Sequence, residues 1–299
     1  MAEVGDRGQR RGTWQPWALL SPGVLWLALF FLVPMLTLVR VSLSEQANRF
    51  TQEFEFSWRF SNYTDAVSDY AGIFGRSFLY AGLATVLCIL IGYPLAYVIA
   101  FRGGRYRNLL LGLVVVPFFT SYLIRTIAWR TLLADEGPVV GVLEALHLTS
   151  FLDTLGLMEN GRLLATWVAV VGGLTYNFLP FMILPIYVAL EKIDVRLVDA
   201  AKDLYSSAPR AFVKVTLPLS LPGVFAGTLL TFIPASGDFV NAQYLGGPRQ
   251  TMIGNIVQNL FLVQNRYTSA AAISFILMII ITIAVLVYAR FLGTDELAA

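Results

Sequence analysis

The chain has 299 residues, of which 57% are apolar and only 13% are charged. An ordinary soluble domain carries about a quarter charged residues, so this chain has too few charged side chains to cover a globule in water. The formal net charge is +2 and the mean hydropathy is +0.68. These values exclude a soluble enzyme and indicate a chain that lies mostly in lipid.

Residues for metal, disulfide and nucleotide chemistry are scarce. Cys88 is the only cysteine and His147 is the only histidine. The sequence therefore offers no internal disulfide and no cysteine or histidine cluster for a metal ion. It also contains no G-x-x-x-x-G-K-[ST] phosphate-binding loop. We expect no metal, no cofactor bound by this chain and no nucleic-acid partner.

Six stretches are long and apolar enough to cross a membrane as helices. A helix needs about 20 apolar residues to cross a hydrocarbon core of about 30 Å. The sequence therefore predicts an all-α, polytopic membrane protein with one membrane domain, residues 17–291, between tails at 1–16 and 292–299. The first stretch is too long for a signal peptide and lacks a cleavage site, so we expect it to be retained. The predicted spans are Trp17–Val39, Ser77–Phe101, Leu109–Leu132, Leu163–Leu190, Leu217–Val240 and Ser269–Phe291.

The basic residues predict the orientation of these spans. Loops that carry Lys and Arg stay on the cytoplasmic side. If the N-terminus is cytoplasmic, the inner segments hold 12 of the 21 basic residues in a short total length, and the other nine are spread over longer outer loops and span ends. This density predicts that both termini are cytoplasmic.

The outer segment between the first two spans, residues 41–76, is rich in aromatic residues. Phe54, Phe56, Trp58 and Phe60 alternate with polar residues, which predicts an extended strip. Two interpretations stay open, a platform for an external partner and an aromatic anchor at the membrane interface.

Several spans contain residues that bend helices or allow close packing. Proline removes a backbone donor, and irregular backbone in a membrane persists only where protein or a water-filled cavity satisfies it. Together these prolines favour a bundle that moves around a pathway. Gly223 and Gly227 form a G-x-x-x-G pattern, which allows close contact between helices. The prolines are Pro34, Pro94, Pro117, Pro180 and Pro185.

The inner loop at residues 191–216 is too polar to span a membrane and has the pattern of two short helices. Asp194 is placed to cap the first helix, in which apolar residues recur at helical spacing. Pro209 is suited to the first turn of the second helix, which we expect to end before Pro218. The loop presents small residues beside an apolar knob, a surface suited to another protein.

The same loop resembles the signature loop of permease subunits of ABC importers, E-A-A-x-x-x-G followed by L-P-L-x-x-P-G. Two residues depart from the family pattern, since Asp199 replaces Glu and Tyr205 replaces Gly. The resemblance implies that this loop docks on an ATPase subunit. The residues implied in that coupling are Asp199, Ala200, Ala201, Lys202, Asp203, Leu204 and Tyr205.

Residues 117–129 and 237–255 further resemble the spermidine/putrescine branch of this family. The resemblance implies a type I ABC importer permease fold in the cell membrane and substrate movement by alternating access. It also implies three partners: a second similar permease subunit, an ABC ATPase dimer that binds ATP and Mg²⁺, and an extracytoplasmic substrate-binding protein. Permeases for thiamine, iron or sulfate remain alternatives within the family. An ion-coupled secondary transporter and a membrane enzyme are less well supported, because intramembrane acids and clustered catalytic residues are few.

A path for a polyamine would offer carboxylates, carbonyl oxygens and aromatic faces. Asp238 is the main acidic residue at the edge of an apolar span, and we interpret it either as a cation contact or as an inter-helix hydrogen-bonding group. Arg125 and Arg130 suit a cation path less well, and we expect them to snorkel or to pair with Asp135 or Glu136. Further candidates for the path are Tyr122, Trp129, Tyr176 and Asn177.

Overall fold

A computed structural model describes residues 15–46, 48, 53–203 and 205–292. Nearly all of the predicted tails, and Leu204 of the inner loop, lie outside these residues. Two short strands, β1 (Ser44–Gln46) and β2 (Phe54–Phe56), form an antiparallel pair. The α-helices are α1 (Gln15–Leu27), α2 (Val33–Ser42), α3 (Ser61–Arg102), α4 (Arg107–Val115), α5 (Tyr122–Leu132), α6 (Pro138–Ala145), α7 (Thr149–Thr154), α8 (Trp167–Glu191), α9 (Val195–Asp203), α10 (Ala208–Ala211), α11 (Leu217–Ser236), α12 (Val240–Leu245), α13 (Ile253–Leu262) and α14 (Tyr267–Leu292).

The predicted all-α membrane architecture is confirmed. Among the described residues, five helices are long and apolar enough to cross a membrane, and a sixth span results if one bent pair of helices is counted as a single crossing. The first span is continuous because a π-helical turn, Ala28–Leu32, joins α1 to α2. Pro34 lies just after this turn. A π-helical turn is wider than an α-helical turn, so it leaves room for the proline ring.

The third span is interrupted near Pro117, one of the prolines predicted to bend a span. A helix over residues 104–119 is followed by α5 at an angle of 96°. Pro117 opens a short 3₁₀ turn, Val116–Phe119, after which Thr120 and Ser121 adopt extended backbone conformations. Because proline cannot donate the next helical hydrogen bond, the chain breaks here.

The other prolines predicted to interrupt spans lie in helices that continue through them. Pro94 lies inside α3, and Pro180 and Pro185 lie inside α8. Pro180 is buried and Pro185 is half-buried in α8, which is itself mostly buried, whereas Pro94 is exposed. In α8, tertiary packing therefore maintains the helix despite the missing backbone donors.

The helix that contains the second span extends about four turns beyond the start of the predicted span. Helix α3 has 42 residues and begins at Ser61 instead of Ser77. At a rise of about 1.5 Å per residue it is about 63 Å long, roughly twice the hydrocarbon thickness. Its first turns are helical because Ala66 and Phe74 are buried in a separate apolar cluster with Ile253 of α13 and Ile273 of α14.

The aromatic strip before α3 is extended only in part. Strand β2 includes Phe54 and Phe56, but Trp58 has a φ of +52°, which ends the alternation. The rings of Phe56, Trp58 and Phe60 then pack in sequence, with centroid separations of 4.9 and 6.2 Å. All three side chains are exposed. The structure therefore places an exposed aromatic cluster beside the start of α3.

Helix α8 lies at the centre of the bundle and packs against α3 and α11. The predicted close contact at the G-x-x-x-G pattern is confirmed. A Cβ atom added at Gly223 would lie 2.6 Å from Cβ of Ala189, and one at Gly227 would lie 2.8 Å from Sδ of Met182. Both distances are too short for a side chain, so these glycines bring α11 directly against α8.

The second short helix of the inner loop does not end before Pro218. Helix α10 continues through a π-helical turn, Phe212–Thr216, into α11, so residues 208–236 form one continuous helix. Pro218 lies in the first turn of α11. The wider π-helical turn directly before it relieves the clash between the proline ring and the preceding turn.

Candidate functional site

Asp238 lies where the fifth span ends and the short helix α12 begins. Its side chain is buried, with 7% of its surface exposed. The backbone N–H of Asn241 donates to Oδ1 of Asp238 at 2.7 Å. Asp238 therefore caps the first turn of α12 and fixes the direction in which the chain leaves α11.

Tyr122 connects this carboxylate to the bent third span. The hydroxyl of Tyr122, in the first turn of α5, donates to Oδ2 of Asp238. Nδ2 of Asn241 donates in turn to the Tyr122 hydroxyl at 2.6 Å. The break after Phe119 makes this contact possible, because it turns α5 toward α12.

Asn177 extends the hydrogen bonds into the centre of α8. Its Nδ2 lies 3.2 Å from Oδ1 of Asn241 and 3.3 Å from Oγ1 of Thr126. Asn177 is ten residues from the start of α8 and fourteen from its end, so the contacts lie near the middle of the membrane. We call this group the polar cluster; its members are Tyr122, Thr126, Asn177, Asp238 and Asn241.

Trp129 and Tyr176 form an aromatic pair beside the polar cluster. Their ring centroids are 5.3 Å apart in an edge-to-face arrangement. Trp129 is seven residues after Tyr122 on α5, two helical turns along the same face, and Tyr176 precedes Asn177 on α8. The structure thus brings all five sequence-predicted candidates for the path into one region.

The polar cluster has the groups that a cation needs inside a membrane. It contains a carboxylate and amide oxygens, and the aromatic rings of Tyr122, Trp129 and Tyr176 lie beside them. Oδ1 of Asn177 is buried and has no hydrogen-bond partner among the described residues. Ionisable and unsatisfied polar groups are costly at this depth, which makes a structural role alone an incomplete explanation. Among the described residues, no group of three or more His, Cys, Asp or Glu residues could hold a metal ion.

Sequence reasoning missed two members of the polar cluster, Thr126 and Asn241. Both are fully buried. Asn241 follows Asp238 by three residues, the spacing at which an acidic residue caps a following helix, and this spacing was a usable signal. Thr126 follows Tyr122 by four residues, so the two share one helical face, but only the bend reveals that this face is directed toward α8.

We expect Arg125 to snorkel or to pair with Asp135 or Glu136, and the structure does not show the pair with Asp135. Asp135 is paired with Arg162, with Nη2 and Oδ2 2.8 Å apart. The guanidinium of Arg125 instead lies over the ring of Phe118, 5.3 Å from its centroid, and 5.7 Å from the centroid of Tyr122. Asp135 follows the end of α5, ten residues and thus about 15 Å along the helix from Arg125.

The inner loop contains the predicted first helix, now α9. Oδ1 of Asp194 accepts a hydrogen bond from the backbone N–H of Arg196 at 2.9 Å, which confirms the predicted cap. Val195 and Leu197 are each about half exposed, and Ala200 is exposed, whereas Val198 packs toward the core. Helix α9 therefore has one face on the bundle and one small, apolar face that is open.

Tyr205 adopts the backbone conformation of the glycine that it replaces in the family pattern. Its φ is +58°, in the left-handed region. The N–H of Ser206 donates to the carbonyl of Ala201 at 3.1 Å, the six-to-one bond of a Schellman helix end. The tight turn is thus kept at the cost of placing a non-glycine residue there. The Tyr205 side chain is 98% exposed.

Comparisons with known proteins agree with this architecture. Residues 88–292 match the family model described as the binding-protein-dependent transport system inner membrane component. The spermidine/putrescine transport system permease protein PotB of Haemophilus influenzae is 39% identical over 268 residues, which cover 89% of this chain and 90% of that protein. The PotB protein of Escherichia coli is 34% identical over 267 residues, 89% of this chain and 93% of that protein.

A solved structure shows the same fold. The crystal structure of a bacterial ABC transporter involved in the import of the acidic polysaccharide alginate superposes with a TM-score of 0.65. The alignment covers 95% of this chain and 96% of the other, at 17% sequence identity. This chain belongs to the family of inner membrane components of binding-protein-dependent transport systems. It is a multi-pass membrane protein and a permease subunit of an ABC importer, not an enzyme, as the inner-loop motif predicts.

Proposed function

We propose that this chain moves polyamines of the spermidine and putrescine class across the membrane. The observation that carries the proposal is the buried Asp238 carboxylate, held near mid-membrane beside aromatic rings and an unpartnered amide oxygen of Asn177. An ammonium group is attracted both by a carboxylate and by the face of an aromatic ring. The PotB relatives, named as spermidine/putrescine permeases, support the same substrate class.

The polar cluster also gives a physical basis for alternating access. It joins three helices, namely α5 beyond the bend, α8 at the centre and α12 after the fifth span. An ammonium group that binds the Asp238 carboxylate competes with the Tyr122 hydroxyl for the oxygen Oδ2. Substrate binding then weakens the hydrogen bond between Tyr122 of α5 and Asp238 before α12. The position of α5 relative to α12 therefore depends on whether substrate is bound.

The energy for this movement comes from partner subunits. We propose that α9 is the coupling helix and that its open face, with Ala200 and Leu197, lies in a groove of an ATPase subunit. The ATPase dimer binds ATP and Mg²⁺, and this chain binds neither. A second permease subunit completes the membrane part, and an extracytoplasmic binding protein delivers the substrate. The family description, which names binding-protein-dependent transport, supports the last of these partners.

The cargo of the binding protein tests the substrate class directly. The cognate binding protein, purified and titrated with spermidine, putrescine, thiamine, sulfate and ferric ion, is expected to bind the two amines at least a hundredfold more tightly than the others. It is also expected to stimulate ATP hydrolysis by the assembled complex only when loaded with an amine. Selective binding of thiamine, iron or sulfate would instead place the chain in another branch of the family.

We further propose that both termini are cytoplasmic, so that α9 lies on the ATPase side and residues 133–166 lie outside. Cys88 is the only cysteine and is buried, so Cys88→Ser gives a background for single-cysteine labelling. In that background, Asn160→Cys is expected to react with a membrane-impermeant maleimide added from outside intact cells, and Ala200→Cys only after permeabilisation. The reverse pattern would invert the topology.

A further inference from the structure

The break in the third span lies at mid-membrane depth. We call residues 116–125 the bend segment. At the N-terminal end of the third span, Arg107 pairs with Glu191, the last residue of α8. Further along, the ring of Phe118 lies 4.9 Å from that of Phe181. Since Phe181 is near the centre of α8, the bend segment is about as far from one membrane surface as from the other.

The bend segment presents irregular backbone on the outside of this chain. Thr120 and Ser121 are exposed and extended, and Phe119 is 86% exposed. The N-terminus of α5 has no side-chain cap. Lipid tails cannot satisfy the polar groups of irregular backbone, so such a segment does not face lipid in the hydrocarbon region. Either another protein surface or a water-filled cavity must therefore satisfy it.

Arg125 adds a charge that needs a partner at the same place. Its Nε and Nη1 atoms are buried and have no hydrogen-bond partner among the described residues. Asp238 already accepts from Tyr122 and Asn241, and Asp135 pairs with Arg162. The rings of Phe118 and Tyr122 lie close to the guanidinium, but they leave these two N–H groups without a hydrogen-bond acceptor. Buried donors without an acceptor are costly, so an acceptor from another chain would stabilise this site.

We propose that the bend segment is the contact surface for the second permease subunit, and that this subunit supplies a carboxylate to Arg125. The depth of the site decides between possible partners. Lipid phosphates lie about 15 Å away, at the edge of the hydrocarbon core, and soluble partners such as the ATPase and the binding protein do not reach it. A neighbouring membrane-spanning chain does, and a carboxylate matches both the guanidinium and the positive end of α5. The proposal rests on the proposed function only in requiring a second permease.

Assembly tests the charge contact. Arg125→Gln removes the cation, and Arg130→Gln, on an exposed part of the same helix, is the matched control. In membranes that hold normal amounts of this chain, Arg125→Gln is expected to lower the second permease recovered on a tag of this chain at least tenfold. Arg130→Gln should leave recovery within twofold. Equal recovery for both variants would overturn the role of Arg125.

Cross-linking tests the surface even where the Arg125 variant folds poorly. A photoreactive phenylalanine analogue at position 119 of the otherwise native complex is expected to give a product with the second permease, identified by mass spectrometry. Products with lipid, the ATPase or the binding protein alone would overturn the proposal, as would a product with a second copy of this chain. Neither experiment uses a substrate, so an incorrect polyamine assignment would leave both results unchanged.

Discussion

Asp238→Asn is expected to slow uptake per assembled complex by roughly tenfold to a hundredfold, because a charge-assisted hydrogen bond is worth about 1.5–3 kcal/mol and each 1.4 kcal/mol changes a rate about tenfold. The substitution keeps the shape of the side chain and an oxygen that can accept from the Asn241 backbone. It removes the charge and replaces Oδ2, which accepts from the Tyr122 hydroxyl, with an NH₂ donor. The loss should be larger for spermidine than for putrescine, because spermidine carries more positive charge. Radiolabelled uptake, divided by the amount of complex in the same membranes, measures the effect.

Tyr122→Phe is the matched variant for Asp238→Asn. It removes the hydroxyl that donates to Asp238 and leaves the carboxylate charged. If Asp238 binds the cargo, Tyr122→Phe should impair uptake less than Asp238→Asn does. If Asp238 serves only to join α5 to α12, both variants should reduce the amount of assembled complex to a similar degree, and uptake per complex should hardly change. That second pattern would remove Asp238 from the substrate path.

Ala200→Trp is expected to uncouple ATP hydrolysis from transport and to lower uptake at least tenfold. Ala200 lies on the open face of α9, so an indole there projects from the bundle and obstructs the docking groove rather than the core. Overpacking a close-fitting surface costs about 1–3 kcal/mol, enough for this loss of rate. The measurement is ATP hydrolysis stimulated by the loaded binding protein, together with uptake.

Ala200→Ser is the size-matched control for this experiment, because serine keeps a small side chain on the open face. It should retain near-normal uptake. The amount of Ala200→Trp protein in the membrane should also stay normal, since the core contacts of α9 are made by Val198. Normal ATP-driven uptake by Ala200→Trp would show that α9 is not the coupling helix.

The sequence was sufficient to predict the spans and the inner-loop helix. Apolar length determines whether a segment crosses a membrane, and local capping by Asp194 determines where α9 begins. Both depend on neighbouring residues in the chain. The identification of the family also came from a local motif, residues 199–205, and the comparisons bear it out.

Tertiary contacts determine the features that the sequence could not reveal. Hydropathy alone does not distinguish a straight third span from one bent after Phe119, because both have the same composition. The early start of α3 depends on the burial of Ala66 and Phe74 against α13 and α14, which are about 180 residues away in the chain. The continuous helix from α10 to α11 depends on a π-helical turn that no local signal predicts.

In the candidate site, too, some residues could be identified from the local sequence and others only from tertiary contacts. Asp238 was identifiable because an acid at the end of an apolar span is unusual. Its partner Tyr122 lies 116 residues earlier, and only the bend brings the two side chains together. Asn241 was overlooked although it follows Asp238 at the spacing of a helix cap, because that spacing involves its backbone N–H and does not reveal where its side chain lies.

ATP-dependent accumulation of spermidine by a reconstituted complex tests the central claim most directly. Proteoliposomes would contain this chain, the second permease and the ATPase, with ATP inside and the amine-loaded binding protein outside. We predict accumulation of radiolabelled spermidine above the external concentration, which is lost without ATP or without the binding protein and is reduced at least tenfold by Asp238→Asn. Absence of accumulation by an assembled complex that hydrolyses ATP in response to the loaded binding protein would contradict the account.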